Sequence, residues 1–225
     1  MFCLLLLESQ FLNYMQLHNF STFKKDQNRI KNIKENMENK ITAIILAGGK
    51  SQRMETDKGL LTLNGKIFIK HICDALQPIV GSNILIVSSN KQYDALGFTR
   101  VEDIIENKGP VGGLYTALKA SKTKVNLVLS VDVPLVSTEL LQWVLKNHDE
   151  TYMVTQTKSG DKTSPLIGVY DRSMRIVFGE HMAGNQLKLR KVIEDVKHQT
   201  IEVPEKWVNQ LQNINTQEEY QNLIK

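Results

Sequence analysis

The sequence predicts an α/β domain with a mainly parallel sheet and helices on both of its faces. Three apolar, β-branched runs, at residues 41–47, 84–89 and 125–131, have the pattern of strands buried on both sides. Segments with helical periodicity separate them. Strands that alternate with helices form right-handed crossovers and therefore lie parallel. Ligands of such sheets bind at the carboxyl ends of the strands, where we expect the functional site.

The other elements follow from local patterns along the chain. Helices are predicted at residues 66–76, 112–121 and 137–148, the last with Ser137 as its N-cap. After residue 150 the pattern changes to two strands, at 151–157 and 165–170, which we expect to be antiparallel around a turn. A helix at 190–196, a short strand at 200–203 and a last helix from Thr216 complete the prediction.

Composition narrows the class of protein. The 225 residues are 41% hydrophobic and 23% charged, which fits one globular domain, and the net charge of +4 is spread along the chain. So mild an excess argues against nucleic-acid binding. Cys3 and Cys73 are the only cysteines and form no CxxC pair. Zinc ligation and a disulfide framework are thereby disfavoured, and a reducing, cytoplasmic location is expected.

Residues 1–40 are predicted to be a leader that is separate from a domain at 41–225. The apolar run at 2–7 is too short to span a bilayer, so we expect no membrane association. The polar stretch after it lacks Gly and Pro, which favours an unstructured arm over a partner or membrane anchor. A start of translation at Met37 is a third interpretation.

The strongest chemical signal directly follows the first predicted strand. Gly48 and Gly49 allow backbone N–H groups to approach an anion closely, and Lys50, Arg53 and Lys58 add three cations. A triphosphate needs both features, because amides bind its oxygens and cations offset its charge. A solvated, charged turn is the alternative, which the preceding strand and the cations disfavour.

Two common nucleotide-binding loops are excluded. A Walker A loop needs a Gly five residues before Gly49, where Ile44 stands. A G-x-G-x-x-G loop needs a second Gly where Lys50 stands.

The motifs from Leu46 onward resemble the signature of nucleotidyltransferases with a three-layer, Rossmann-like fold. Within that superfamily the chain is most similar to the molybdenum cofactor guanylyltransferases, which transfer GMP from GTP to molybdopterin-bound molybdenum. The blocks that carry the resemblance are residues 46–54, 57–58, 60–66, 107–114, 130–134 and 213–216.

The resemblance implies two overlapping sets of site residues. The nucleotide-binding set comprises Leu46, Ala47, Gly48, Gly49, Lys58, Asp103 and Asp132. The catalytic set comprises Arg53, Lys58 and Asp132, with Asp132 as the ligand of a Mg²⁺ cofactor. It also implies GTP and molybdenum-loaded molybdopterin as substrates, and transient contacts with molybdoenzymes or their chaperones.

The position of Asp132 in the chain independently supports its assignment as the Mg²⁺ ligand. Asp132 directly follows the predicted strand at 125–131, so its carboxylate should emerge at the carboxyl edge of the sheet. Mg²⁺ prefers one or two carboxylates together with phosphate oxygens and water. An Asp after a strand also commonly caps a helix or forms a turn, and this alternative applies more strongly to Asp103.

Glu55 departs from the family pattern, which has Gly after the Arg-Met pair. Its carboxylate would repel a triphosphate, so we expect it to face solvent or to weaken nucleotide binding. Glu55 is the main reason to keep open a nucleotide-binding adaptor without turnover. Two enzyme alternatives also stay open: a related cytidylyltransferase, which Gly48 and Gly49 disfavour only modestly, and a sugar-phosphate nucleotidyltransferase, which usually has a longer chain after the catalytic core.

Overall fold

The computed structural model describes residues 40–48, 57–105 and 108–224, all within one compact unit, Glu38–Lys225. Its strands are β1 (Ile41–Leu46), β2 (Thr62–Leu63), β3 (Lys66–Ile67), β4 (Ile84–Val87), β5 (Thr99–Val101), β6 (Val125–Ser130), β7 (Val154–Ser159), β8 (Lys162–Asp171) and β9 (His198–Glu202). Its helices are α1 (Phe68–Val80), α2 (Gly109–Ala120), α3 (Thr138–Lys146), α4 (Met174–Ala183), α5 (Leu189–Glu194) and α6 (Gln217–Leu223). Short 3₁₀ segments cover Lys58–Leu60, Lys91–Leu96 and Glu205–Leu211.

Seven strands of the described residues form one sheet in the order β5-β4-β1-β6-β8-β7-β9, and β2 pairs with β3 apart from it. Neighbouring strands from β5 to β6 are parallel, whereas β8 is antiparallel to both β6 and β7. The mainly parallel sheet and the antiparallel pair are thus confirmed. The chain places β4 on one side of β1 and β6 on the other. Ligands of α/β sheets bind outside the carboxyl ends of the strands at such a reversal, which here means the ends of β1 and β6.

Each face of the sheet carries its own hydrophobic core. Alternate residues of β1 supply both: Ile45 packs with α1 and α3, whereas Ile44 packs with α2, α4 and α5. Both side chains are completely buried. The result is the predicted three-layer arrangement, in which β1 is covered on both faces.

Several helix boundaries differ from the prediction. Helix α2 begins at Gly109, three residues earlier than expected, because Gly109 adopts a left-handed φ of 58° and Pro110 occupies the first turn, where no donor is needed. Helix α1 continues past the predicted end to Val80 although it contains Pro78. The proline lies near the end of the helix, where the loss of one hydrogen bond disturbs little.

Helix α4 was not predicted at all. Met174, Phe178 and Met182 form its single buried stripe, and Gly179 interrupts the helical pattern. Glycine lowers helix propensity by about 1 kcal/mol relative to alanine, so the local signal is weak and packing against α2 decides the helix. No helix among the described residues combines the length and apolar character that a bilayer crossing requires.

Candidate active site

The ends of β1 and β6 meet as the sequence predicts. The backbone N–H of Val131 donates to the carbonyl of Leu46 at 3.0 Å, and the N–H of Ala47 donates to the carbonyl of Val87 at 3.0 Å. Gly48 follows them and is exposed. The predicted nucleotide-binding backbone of residues 46–48 therefore lies at the carboxyl edge, beside the strand-order reversal.

Asp132 leaves β6 at this same edge. Its Oδ1 atom is buried and has no hydrogen-bond partner among the described residues, a property shared only by Gln156 Oε1 and Arg172 Nε in that part of the chain. A buried carboxylate oxygen without a partner costs free energy unless a cation compensates it. The atom fits a divalent metal ligand, because Mg²⁺ needs few protein carboxylates when phosphate and water supply the rest.

Lys58 is linked to the same edge through a C-terminal segment. Its Nζ atom donates to Oδ1 of Asn215 at 2.6 Å. The N–H of the preceding residue, Ile214, donates to the carbonyl of Asp132 at 2.8 Å. One short C-terminal segment thus contacts both the predicted phosphate-binding cation and the predicted metal ligand.

Asp57 caps the 3₁₀ turn that begins at Lys58. Its carboxylate accepts hydrogen bonds from the N–H of Gly59 at 3.0 Å, from Nδ2 of Asn90 at 2.7 Å and from the hydroxyl of Tyr93. Tyr93 is completely buried. Burial and the neighbouring Asp57 carboxylate raise the pKa of Tyr93 well above its usual range, so the hydroxyl stays a donor. Three donors therefore hold the Asp57 carboxylate, and through the Gly59 N–H this carboxylate caps the turn that begins at Lys58.

Gly59 is packed too closely against its neighbours for any larger residue to fit. A Cβ atom there would lie 2.2 Å from the Tyr93 hydroxyl oxygen and 2.8 Å from Cγ2 of Val131. We expect Gly59→Ala to lower the free energy of unfolding by about 1–3 kcal/mol. Chemical denaturation measures this effect.

Gly184→Ala is the matched control for that substitution. A Cβ atom at Gly184 would meet no atom closer than 3.7 Å, and its φ of −80° is an ordinary one. Equal stability of the two alanine variants would contradict the close packing at Gly59.

Asp103 has a structural partner in α2. Its Oδ1 atom accepts a hydrogen bond from the Thr116 hydroxyl at 2.7 Å. In the same helix, Gly113 packs over the end of β1, where an added Cβ would lie 3.3 Å from Cδ2 of Leu46. Asp103 therefore anchors its loop to the helix that packs on Leu46, within the predicted nucleotide-binding backbone. Its predicted contact with nucleotide stays a prediction.

The structure describes part of the predicted site. Leu46 is hydrogen-bonded to Val131, the residue before Asp132, and Lys58 is linked to Asp132 through the neighbouring residues Asn215 and Ile214. Gly49, Lys50, Arg53 and Glu55 lie outside the described residues. Sequence reasoning missed the supporting residues Asp57, Gly59, Asn90, Tyr93 and Asn215. Asn215 stands in the recognised block at 213–216, which was the one available signal for it. No sequence pattern around Tyr93 indicates that it supports the site.

A sequence model of the MobA-like NTP transferase domain family matches residues 43–201. The chain belongs to this family. A MobA-like protein of Flavobacterium johnsoniae, named "probable molybdenum cofactor guanylyltransferase", is 40% identical over 183 residues, which cover 81% of this chain and 96% of the relative. An Aquifex aeolicus protein of the same name is 30% identical, with coverage of 81% and 90%.

A solved structure shows that the fold is shared. Molybdopterin-guanine dinucleotide biosynthesis protein A from Archaeoglobus fulgidus superposes with a TM-score of 0.70 at 21% identity, over 81% of this chain and 96% of that chain. The Rossmann-like nucleotidyltransferase fold that the resemblance implies is confirmed.

Proposed function

We propose that this MobA-like nucleotidyltransferase transfers GMP from GTP to molybdenum-loaded molybdopterin and releases pyrophosphate. The observation that carries the proposal is that Lys58 and Asp132, at the carboxyl edge of the sheet, are hydrogen-bonded to the adjacent residues Asn215 and Ile214. A cation and an anionic metal ligand at one end of a parallel sheet suit a magnesium triphosphate. The names of the relatives supply the specific acceptor and nucleotide.

The reaction is a direct displacement at the α-phosphorus. A terminal phosphate oxygen of the pterin forms a new bond to the α-phosphorus as the bond between this phosphorus and its oxygen bridge to the β-phosphate breaks. Pyrophosphate carries away that bridging oxygen and its negative charge. No residue of the chain becomes covalently attached, so catalysis consists of alignment and charge stabilisation.

Lys58 stabilises the departing pyrophosphate in this proposal, together with Arg53. A lysine ammonium has three N–H donors, and Asn215 takes one of them. The Lys58 ammonium has no second hydrogen-bond partner among the described residues, so its other donors could bind phosphate oxygens. The backbone of residues 46–48 and Oδ2 of Asp103 would contact the rest of the nucleotide.

Asp132 would hold the Mg²⁺ ion through its buried Oδ1 atom. Bound Mg²⁺ would neutralise phosphate charge and orient the triphosphate. The N–H of Ile214 donates to the backbone carbonyl of Asp132. This hydrogen bond would keep the Asp132 carboxylate in place at the end of β6.

We also propose a cytoplasmic location and transient transfer of the product to molybdoenzymes or their chaperones. The low cysteine content supports a reducing compartment. Burial raises the pKa of Cys73 to about 12, so this thiol is poorly suited to redox chemistry.

Pyrophosphate release tests the nucleotide and the need for an acceptor. The purified full chain is supplied with Mg²⁺, molybdenum-loaded molybdopterin and either GTP or CTP, and parallel reactions omit the pterin. We expect release with GTP that depends on the pterin. Release with CTP instead would assign the chain to the cytidylyl relatives, and GTP binding without release would favour the adaptor.

A further inference from the structure

The turn before α6 is closed by a reciprocal set of hydrogen bonds. One carboxylate oxygen of Glu219, Oε2, accepts from the N–H of Asn215 at 2.7 Å and from the N–H of Thr216 at 2.9 Å. The Thr216 hydroxyl accepts from the N–H of Glu219 at 3.1 Å. This is a capping box, extended by one residue to include Asn215.

The same helix is tied to the domain by an aromatic residue. The Tyr220 hydroxyl donates to the carbonyl of Thr62 at 2.8 Å, and its ring meets that of Phe68 edge-on with centroids 5.9 Å apart. Helix α6 has no buried residue of its own, so these contacts and the capping box determine where it begins. The position of Asn215 follows from that beginning.

Asn215 is a suitable partner for a cation that must remain available to substrate. Its neutral amide oxygen holds the Lys58 ammonium and leaves the positive charge in place. A carboxylate in the same position would offset that charge. A free lysine side chain loses considerable rotamer entropy when it binds a phosphate. A lysine that is already held loses less, which strengthens binding.

We propose that Glu219 is a positioning residue of the nucleotide site: its carboxylate fixes the turn that carries Asn215, and Asn215 orients the Lys58 ammonium toward the triphosphate. This inference rests on the proposed function. Glu219 touches no substrate and acts through Asn215. The hydrogen bond from the Asn215 N–H, and to a smaller extent that from the Thr216 N–H, lowers the pKa of Glu219 below its usual range. The carboxylate is therefore ionised at neutral pH.

Glu219→Ala tests the proposal against Glu218→Ala. Glu218 lies in the same first turn, is exposed and loses the same charge on substitution. The dissociation constant for Mg-GTP is measured by calorimetry on the full chain. From the usual energy of a helix cap we expect Glu219→Ala to weaken binding by about five- to tenfold, and Glu218→Ala by less than about twofold. Glu219→Gln keeps an acceptor oxygen and should restore most of the affinity.

A double-mutant cycle separates positioning from a general loss of structure. If Glu219 acts through Lys58, its removal should have little further effect on GTP affinity in a Lys58→Ala background. Thermal melting of every variant shows whether α6 and the domain remain folded.

Additive effects of the two substitutions would overturn the proposal, and so would equal affinities of the Glu219→Ala and Glu218→Ala proteins. Failure of the proposed function has a different signature. In that case the unaltered chain itself would bind no GTP, or would bind it without pterin-dependent pyrophosphate release.

Discussion

Asp132→Ala is expected to lower kcat/KM for GMP transfer by about a hundredfold or more, which corresponds to about 3 kcal/mol of transition-state stabilisation. The reason is the position of the carboxylate, whose buried Oδ1 has no partner among the described residues and lies where the triphosphate is expected. Steady-state pyrophosphate release across a range of Mg²⁺ concentrations measures the loss. The variant should also need much more Mg²⁺ for half-maximal rate.

The folded state should tolerate this change well. Removing an uncompensated carboxylate oxygen takes away a desolvation cost, so we expect the free energy of unfolding without Mg²⁺ to stay level or rise. Asp161→Ala is the matched control, since Asp161 is exposed in the turn between β7 and β8. Near-normal turnover and an unchanged Mg²⁺ requirement in Asp132→Ala would show that the metal is held elsewhere.

Lys58→Ala is expected to reduce kcat/KM by about a hundredfold, because a charge-assisted contact to the departing pyrophosphate disappears. Both an increased KM for GTP and a decreased kcat are expected, since the ammonium contacts phosphate before and during bond cleavage. Lys58→Arg keeps the charge but not the shape that fits Asn215 Oδ1, and it should recover only part of the rate.

Lys70→Ala provides the control for lost positive charge. Lys70 lies on α1 and pairs with Asp74 at 2.6 Å, whereas Lys58 pairs with Asn215. Its replacement should leave kcat/KM within about twofold, because exposed ion pairs contribute little. Equal losses in the two variants would point to overall charge and not to a specific phosphate contact.

The central strands and the main site residues were predictable because their signals are local. Residues 41–46 are apolar except for Thr42, and such a short, β-branched run is typical of a strand covered on both faces. The positions of Leu46 and Asp132 then follow, since a residue that ends a parallel strand must emerge at the carboxyl edge. The hydrogen bond from Val131 to Leu46 confirms this placement.

The supporting contacts were unpredictable because they depend on chain closure over long distances. Tyr93 meets Asp57 across 36 positions, and Lys58 meets Asn215 across 157. No local sequence pattern predicts either pair, because the residues of each pair come together only when the whole domain folds. Helix α4 was missed for a related reason, since its contacts with α2 and not its own sequence establish it.

Transfer of label from radioactive GTP shows which phosphorus atom is attacked. The full chain is incubated with Mg²⁺, molybdenum-loaded molybdopterin and GTP labelled at either the α- or the γ-phosphate. We expect the α-label to enter the pterin product and the γ-label to leave as pyrophosphate. Appearance of the γ-label in the pterin, or of neither label, would contradict attack at the α-phosphorus and with it the assignment of Lys58 and Asp132.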